Sequence, residues 1–456
     1  MTSQQSLPSQ LEFNFGFVRA SVLLALTAGF AIAAHLSFTI GFDYQMSKGF
    51  YSFIQIHGHV QLLGWLGLMI IGISLHFIPR LAHSPIENPL RLRLILFFLT
   101  SGLTLRILAG SVLPYLQSDT TRYYVTSTFI ALSALLELAG IFLYLFTLIS
   151  IIKKSIKLSD AFNDVKPFVF VMVSGFLIYG FLNSVLIMNM IIASDSVLDQ
   201  NWNEILTHLF LSMIILPIAF VFSIRLFPLL FSLEPMKKVS LYLGLSYGIS
   251  IYVNIILSSL ALLGVDSRLT NFLLDITGFL IPSLIIYIIF SLKILKLPLI
   301  NRLPTNELNL TERWSYISIR VAYLWLLLFS ILEITSHLQF ALGFDVDVGI
   351  DAIRHIQLLG FASMLVFGVG SKMLPGFIGR REIYSGKLVI AAFWLLLLAA
   401  IFRITPVLLP YELVEIIPYG EYSMGAMFAL SGILGMLAIA LFGWNLRKTK
   451  LSDLHQ

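Results

Sequence analysis

The 456-residue sequence contains no cysteine, and only 12% of its residues are charged. Without cysteine the chain cannot form disulfides, bind a metal through thiolates or attach a c-type haem covalently. With 58% hydrophobic residues and a mean hydropathy of +0.91, it holds more apolar side chain than one soluble core of this length can bury. The composition therefore indicates an integral membrane protein in a lipid bilayer.

Apolar runs long enough to cross a bilayer recur along the whole sequence. About 20 helical residues span the ~30 Å hydrocarbon core of a membrane. We therefore predict an all-α, polytopic fold, with one integral membrane domain over residues 1–456 and twelve transmembrane helices. The predicted spans are 17–40, 51–79, 90–113, 124–152, 166–193, 202–231, 239–264, 270–296, 316–342, 350–375, 386–409 and 417–445.

The charges of the loops predict the orientation of these spans. Basic residues such as Arg91, Lys153 and Arg380 follow even-numbered spans, whereas the other loops carry acidic residues such as Asp195 and Glu412. Cytoplasmic loops of membrane proteins carry an excess of lysine and arginine. Both termini are thus expected in the cytoplasm. Because the net charge of +5 comes from these loops, it does not require a nucleic-acid partner.

Three apolar runs share one spacing. Each begins at a histidine and reaches a proline twenty residues later: His59–Pro79, His208–Pro228 and His355–Pro375. The three histidines are 149 and 147 residues apart, and such a period is typical of an internal repeat. We predict three pseudo-symmetric repeats of four helices, approximately 17–153, 166–297 and 316–446. In the predicted orientation all three histidines lie near the outer face.

Three further histidines are predicted at the same depth. The segments AHLSFTIGFD (34–43) and SHLQFALGFD (336–345) place His35 and His337 at corresponding ends of two spans. The third is His57, two residues before His59. The match between HVQLLGW (59–65) and HIQLLGF (355–361) makes His59 the counterpart of His355. Residues two apart on a helix point about 200° apart. We therefore expect His57 to face a different neighbour or the lipid interface.

This layer of imidazoles indicates a haem or metal site. Polar side chains within spans cost free energy and tend to mark function, and imidazole is a common ligand of iron and copper. Arg106 and Arg403 occupy matching places in the third and eleventh spans and are candidates to bind haem propionates. There are structural alternatives: the arginines reach lipid headgroups, and the histidines form hydrogen bonds at the membrane interface.

The plan of the chain resembles the catalytic subunit of haem-copper oxidases and nitric oxide reductases. That superfamily also has twelve helices with histidines on helices 2, 6 and 10. The resemblance implies that His59 and His355 are axial ligands of a haem and that His208 is a copper ligand, completed by His35, His337 or His57. It also implies oxidoreductase chemistry. Helix 7 lacks the histidine pair of that superfamily, so the resemblance does not extend to a complete binuclear centre.

The local motifs are similar to the NnrS family, haem- and copper-containing membrane proteins linked to nitric oxide metabolism. The motifs that carry this likeness are IHGHVQLLGW (56–65), THLF (207–210) and RHIQLLGFASMLVFGVGSKMLPGFIGR (354–380). The first has Val60 where that family has an acidic residue. The resemblance implies b-type haem, with copper as a second cofactor, in a prokaryotic cytoplasmic (inner) membrane. The sequence contains no soluble redox domain, so a quinol or a separate redox protein would supply electrons.

The resulting hypothesis is a haem-binding, and copper-binding, membrane protein of redox or gas-binding function, in nitric oxide metabolism or respiratory electron transfer. A vacant iron position would permit gas binding, whereas two axial histidines favour electron transfer. The alternative is a permease or metal-handling transporter that uses the histidine layer transiently. A purely structural membrane subunit is a third possibility.

Overall fold

A computed structural model describes residues 13–82, 84–86, 88–118, 120–154, 160–231, 233, 235–236, 239–265, 267–295, 310–341 and 349–451. Within these residues the secondary structure is helical, without strands. Residues 342–345, the end of the second GFD motif, lie outside the described part, as do residues 296–297 of the second predicted repeat. The prediction of an all-α chain is confirmed.

Within the described residues, twelve helices are long and apolar enough to cross a membrane, which confirms the predicted number of spans. The chain is therefore a polytopic membrane protein. The helices are α1 Gly16–Gly41, α2 Phe50–Leu81, α3 Pro89–Tyr115, α4 Thr121–Lys154, α5 Lys166–Ile192, α6 Gln200–Leu230, α7 Ser240–Leu262, α8 Arg268–Ser291, α9 Leu310–Gln339, α10 Ile350–Phe377, α11 Gly386–Leu408 and α12 Gly420–Lys450. Short helices at Asp160–Asn163 and Tyr411–Ile416 lie between spans.

Helices α2, α6 and α10 form the core of the bundle. In their most apolar windows 89%, 83% and 67% of the residues are buried, against 28–56% in the other nine spans. The three helices surround an entirely apolar cavity of about 650 Å³. The outer helices expose aromatic and aliphatic side chains such as Phe97, Phe146 and Phe170, as expected for a surface that faces lipid. The helices that carry His59, His208 and His355 are thus the innermost ones.

Each core helix contains a π-helical segment that begins one or two residues after its histidine. The segments are Val60–Gly67 in α2, Phe210–Ile215 in α6 and Ile356–Ser363 in α10, and α1 has a further one at Ala25–Phe30. A π segment adds a residue to a turn and so rotates the helix on one side of it relative to the other. The histidine-bearing start of each core helix is therefore rotated relative to the remainder of the same helix.

Candidate functional site

The first candidate site is a cavity that we call the His57–His355 cavity. It has a volume of about 650 Å³ and lies among α1, α2, α10, α11 and α12. Its wall consists of Phe30, Ala33, Leu36, Ser37, His57, Gln61, Trp65, Leu66, His355, Leu358, Leu359, Ser363, Arg403, Ser431 and Gly432. Apart from a few polar groups the wall is apolar, as in cavities that bind organic ligands or cofactors.

The two imidazoles of this cavity are held in the same manner. His57 Nδ1 lies 2.9 Å from the carbonyl oxygen of Gly29, and His355 Nδ1 lies 2.7 Å from that of Asp351. A carbonyl oxygen only accepts, so each Nδ1 carries the proton and donates. Each Nε2 then carries a lone pair and has no hydrogen-bond partner among the described residues. A backbone carbonyl that fixes Nδ1–H is the usual arrangement of a histidine that binds a metal through Nε2.

Arg403 lies on the wall of the same cavity. Its Nη2 donates to Asp351 Oδ1 over 2.9 Å, and its guanidinium stacks 4.0 Å from the centroid of the Phe428 ring. Asp351 Oδ1 is also 3.3 Å from His355 Nδ1, so one carboxylate orients both the arginine and the histidine. Arg403 Nε is buried without a partner in the described part of the chain. A donor therefore remains for a carboxylate within the cavity.

His59 faces away from the His57–His355 cavity, towards α4 and α5. Its Nε2 lies 3.0 Å and 3.1 Å from the two carboxylate oxygens of Glu137, and its Nδ1 lies 3.0 Å from the Tyr179 hydroxyl. Because a carboxylate only accepts, Nε2–H donates to Glu137 and Nδ1 accepts from Tyr179. Asn183 Nδ2 also donates to Glu137, over 3.2 Å. Both ring nitrogens of this buried histidine are therefore in use.

These contacts correct the expected orientation of the two neighbouring histidines. We expected His59 and His355 to hold one ligand and His57 to face elsewhere. The structure instead places His57 beside His355 in the His57–His355 cavity, whereas His59 and His355 share only a second, adjoining cavity. The difference arises because His59 is bound by Glu137 and Tyr179 and therefore turns towards α4 and α5.

A second cavity, which we call the Arg106 cavity, adjoins the first. It encloses about 790 Å³ among α2, α3, α5, α6 and α10. His57, Gln61, His355 and Leu358 line both cavities. Arg106 is only 8% exposed and is close enough to Glu137 to interact with it electrostatically. Arg106 and Arg403 thus each line a cavity beside a histidine of a core helix.

The remaining histidines of the predicted layer are not brought together. His208 contacts Ser212 of its own helix at 3.4 Å, and His35 packs edge-on against Phe53. His337 Nε2 lies 4.0 Å from Glu333 Oε2, and its ring packs against Gly278 of α8. Among the described residues no group of three or more histidine, aspartate or glutamate side chains could hold a metal ion by itself. The set of His208 with His35, His337 or His57 that was expected to bind copper is not assembled.

Several polar residues of these cavities were missed in the sequence. Asp351, Gln61, Tyr179 and Glu137 were not among the predicted site residues, although the first three line a cavity and Glu137 binds His59. Asp351 stands four residues before His355, so it shares a helix face with that histidine, a signal available in the sequence. Tyr179 offered no such signal, because its role depends on how α5 packs against α2.

Compared with known proteins, the chain matches no family model and no curated protein.

Proposed function

We propose that the protein binds a haem in the His57–His355 cavity, with His57 and His355 as its axial ligands. The observation that carries the proposal is the pairing of two imidazoles from different helices in one largely apolar cavity, each with Nδ1–H bound to a carbonyl and Nε2 free. Two imidazoles are a donor set that can hold the iron of a b-type haem. His59 is the weaker candidate, because Glu137 and Tyr179 already use its ring nitrogens.

Other residues of the cavity are suited to contact the propionates and the ring of a haem. Arg403, fixed by Asp351 and Phe428, retains a buried Nε–H for a propionate. The aromatic and aliphatic wall, including Trp65 and Leu358, excludes water from the flat ring. Gly432 permits close packing there, since a Cβ at this position would lie 2.5 Å from the Cα of Ala34.

A bound haem would supply one-electron transfer. If His57 and His355 both bound the iron, no position would remain for a gas, which would favour electron transfer. Here the chain itself would hold the two imidazoles, exclude water and neutralise the propionates. The proposed setting is a prokaryotic cytoplasmic membrane with both termini inside, a quinol or separate redox protein as electron donor, and a link to nitric oxide metabolism or respiratory electron transfer. Copper binding stays a prediction from the sequence.

The test is an absorption spectrum of the protein purified from cells that are supplied with haem. The wild type is expected to show a Soret band, resolved α and β bands on reduction and one iron per chain. His57→Ala and His355→Ala should each lose at least about nine-tenths of the bound haem, because one axial ligand is removed. His59→Ala and His208→Ala are the matched controls and should stay coloured.

Two outcomes would contradict this assignment. Loss of colour in His59→Ala with retention in His57→Ala would restore the ligand pair inferred from the sequence. A colourless wild type that carries a metal or solute across vesicle membranes would instead favour the permease.

A further inference from the structure

The Arg106 cavity contains buried polar atoms whose partners are missing. Arg106 Nη1 and Arg354 Nη2 are both buried donors without a hydrogen-bond partner among the described residues, and both side chains line the cavity. Asn183 Oδ1 is a buried acceptor in the same situation. A buried polar group without a partner costs about 1–3 kcal/mol. Three such atoms around one space indicate that a polar molecule occupies it.

The charged groups around the cavity are otherwise engaged. The carboxylate of Glu137 receives hydrogen bonds from His59 and Asn183. That of Asp351 receives them from Arg403, and it also lies beside His355. Arg354 has only a longer ion pair, 3.9 Å from Glu204 Oε1. No carboxylate of the described residues is therefore hydrogen-bonded to Arg106 or Arg354, which approach the space from α3 and α10.

We infer that the Arg106 cavity is a second binding site, which holds a small carboxylate between Arg106 and Arg354. A guanidinium presents a planar set of donors that matches the two oxygens of a carboxylate. Asn183 Oδ1 adds an acceptor for a hydroxyl group on the same ligand. The preferred ligand is thus a small hydroxycarboxylate rather than a simple fatty acid.

The loop between α5 and α6 closes one side of this cavity. The Gln55 side chain donates to the Leu198 carbonyl and accepts from the Leu198 N–H, both over 2.8 Å. Leu198 itself lines the cavity and is only 5% exposed. Two hydrogen bonds to one loop residue hold this cover in place.

The direct test is calorimetric titration of the detergent-purified protein with sodium glycolate and sodium acetate. Both are expected to bind, glycolate about fivefold more tightly, because only its hydroxyl can donate to Asn183. Arg106→Gln and Arg354→Gln should each weaken glycolate binding at least tenfold, since each removes a charged donor. Arg106→Lys keeps the charge but loses the planar donor pair, and should retain part of the affinity.

Arg225→Gln is the matched control. Arg225 also has a buried Nε without a partner among the described residues, but it pairs with Asp164 and is not part of this cavity. This variant should bind glycolate within twofold of the wild type. A wild type that binds neither anion, or arginine variants that bind both as tightly as the wild type, would overturn the inference.

The carboxylate could also come from a haem propionate, so the titration is run on haem-free and haem-loaded protein. Equal glycolate binding in both forms supports a separate site. Loss of binding on haem loading would show that the propionates fill the cavity and would overturn the inference. Because the readout is heat of binding rather than colour, a protein that fails to bind haem still gives a result.

Discussion

At the scale of single residues, the fate of each histidine depends on which of its ring nitrogens is used. His57 and His355 each donate a hydrogen bond from Nδ1–H to a backbone carbonyl, which leaves Nε2 available to a ligand. Both ring nitrogens of His59 instead form hydrogen bonds with side chains. The same residue type is therefore a potential ligand in one case and part of a polar network in the other. Glu137 is the centre of that network, with His59 and Asn183 as its donors.

Removal of Glu137 is expected to destabilise the bundle. Glu137→Ala leaves the Nε2–H of His59 and the Nδ2 of Asn183 without acceptors, and should lower the free energy of unfolding by about 3 kcal/mol. Glu137→Gln keeps one carbonyl oxygen and should cost clearly less. Thermal unfolding in detergent, followed by tryptophan fluorescence, measures both.

Glu412→Ala is the control for that series, because Glu412 is exposed between α11 and α12. It should change the free energy of unfolding by no more than about 0.5 kcal/mol. If Glu137→Ala unfolds at the same temperature as Glu412→Ala, the buried network does not stabilise the fold.

At the scale of helices, the π segments decide what the core helices present to the cavities. In α2 the segment Val60–Gly67 follows His59 and lies between the histidines and the rest of the helix. A residue added to a helical turn shifts the two sides by about 100°. The direction of His57 relative to Trp65 and Leu66 therefore depends on this insertion as well as on the spacing in the sequence.

Shortening of that segment by one residue provides a test. Deletion of Leu62 removes the extra residue and should return the segment to α-helical geometry, which changes the position of His57 relative to the second half of α2. We expect the deletion variant to lose bound haem. The matched control is Leu62→Ala, which removes the same side chain without a change of register and should keep the haem. Equal haem content in the two variants, measured from the Soret absorbance, would show that the insertion does not orient His57.

At the scale of the whole molecule, the twelve spans divide into an inner set of three and an outer set of nine. Helices of the inner set line each of the cavities, together with neighbouring outer helices. The outer set separates the inner set from lipid. The loops at the end of the bundle that holds the histidines are exposed. Tyr44, between α1 and α2, is 58% accessible, and Tyr419, between α11 and α12, is 86% accessible. These positions allow the orientation in the membrane to be measured directly.

The absence of cysteine makes that measurement simple. Tyr44→Cys and Tyr419→Cys should react with a membrane-impermeant maleimide on intact cells if the histidine end faces outwards, as the distribution of basic loops predicts. Arg381→Cys, at an exposed position between α10 and α11, should react only after lysis. The reverse pattern would invert the proposed topology and place both termini outside.

The sequence by itself determined the all-α fold and the number of spans, and it singled out α2, α6 and α10 by their repeated histidines. The length of the apolar runs determines the fold and the number of spans, because a bilayer admits few other arrangements. It also singled out His355, Arg403 and Arg106 as candidate site residues, and all three line a cavity. Only the tertiary structure decided that His57 rather than His59 lines the His57–His355 cavity with His355, and that Tyr179 contacts His59 while Asn183 donates to Glu137. Both features depend on the rotation of helices and on contacts between spans that are distant in the sequence. Neither can be read from the spacing of residues.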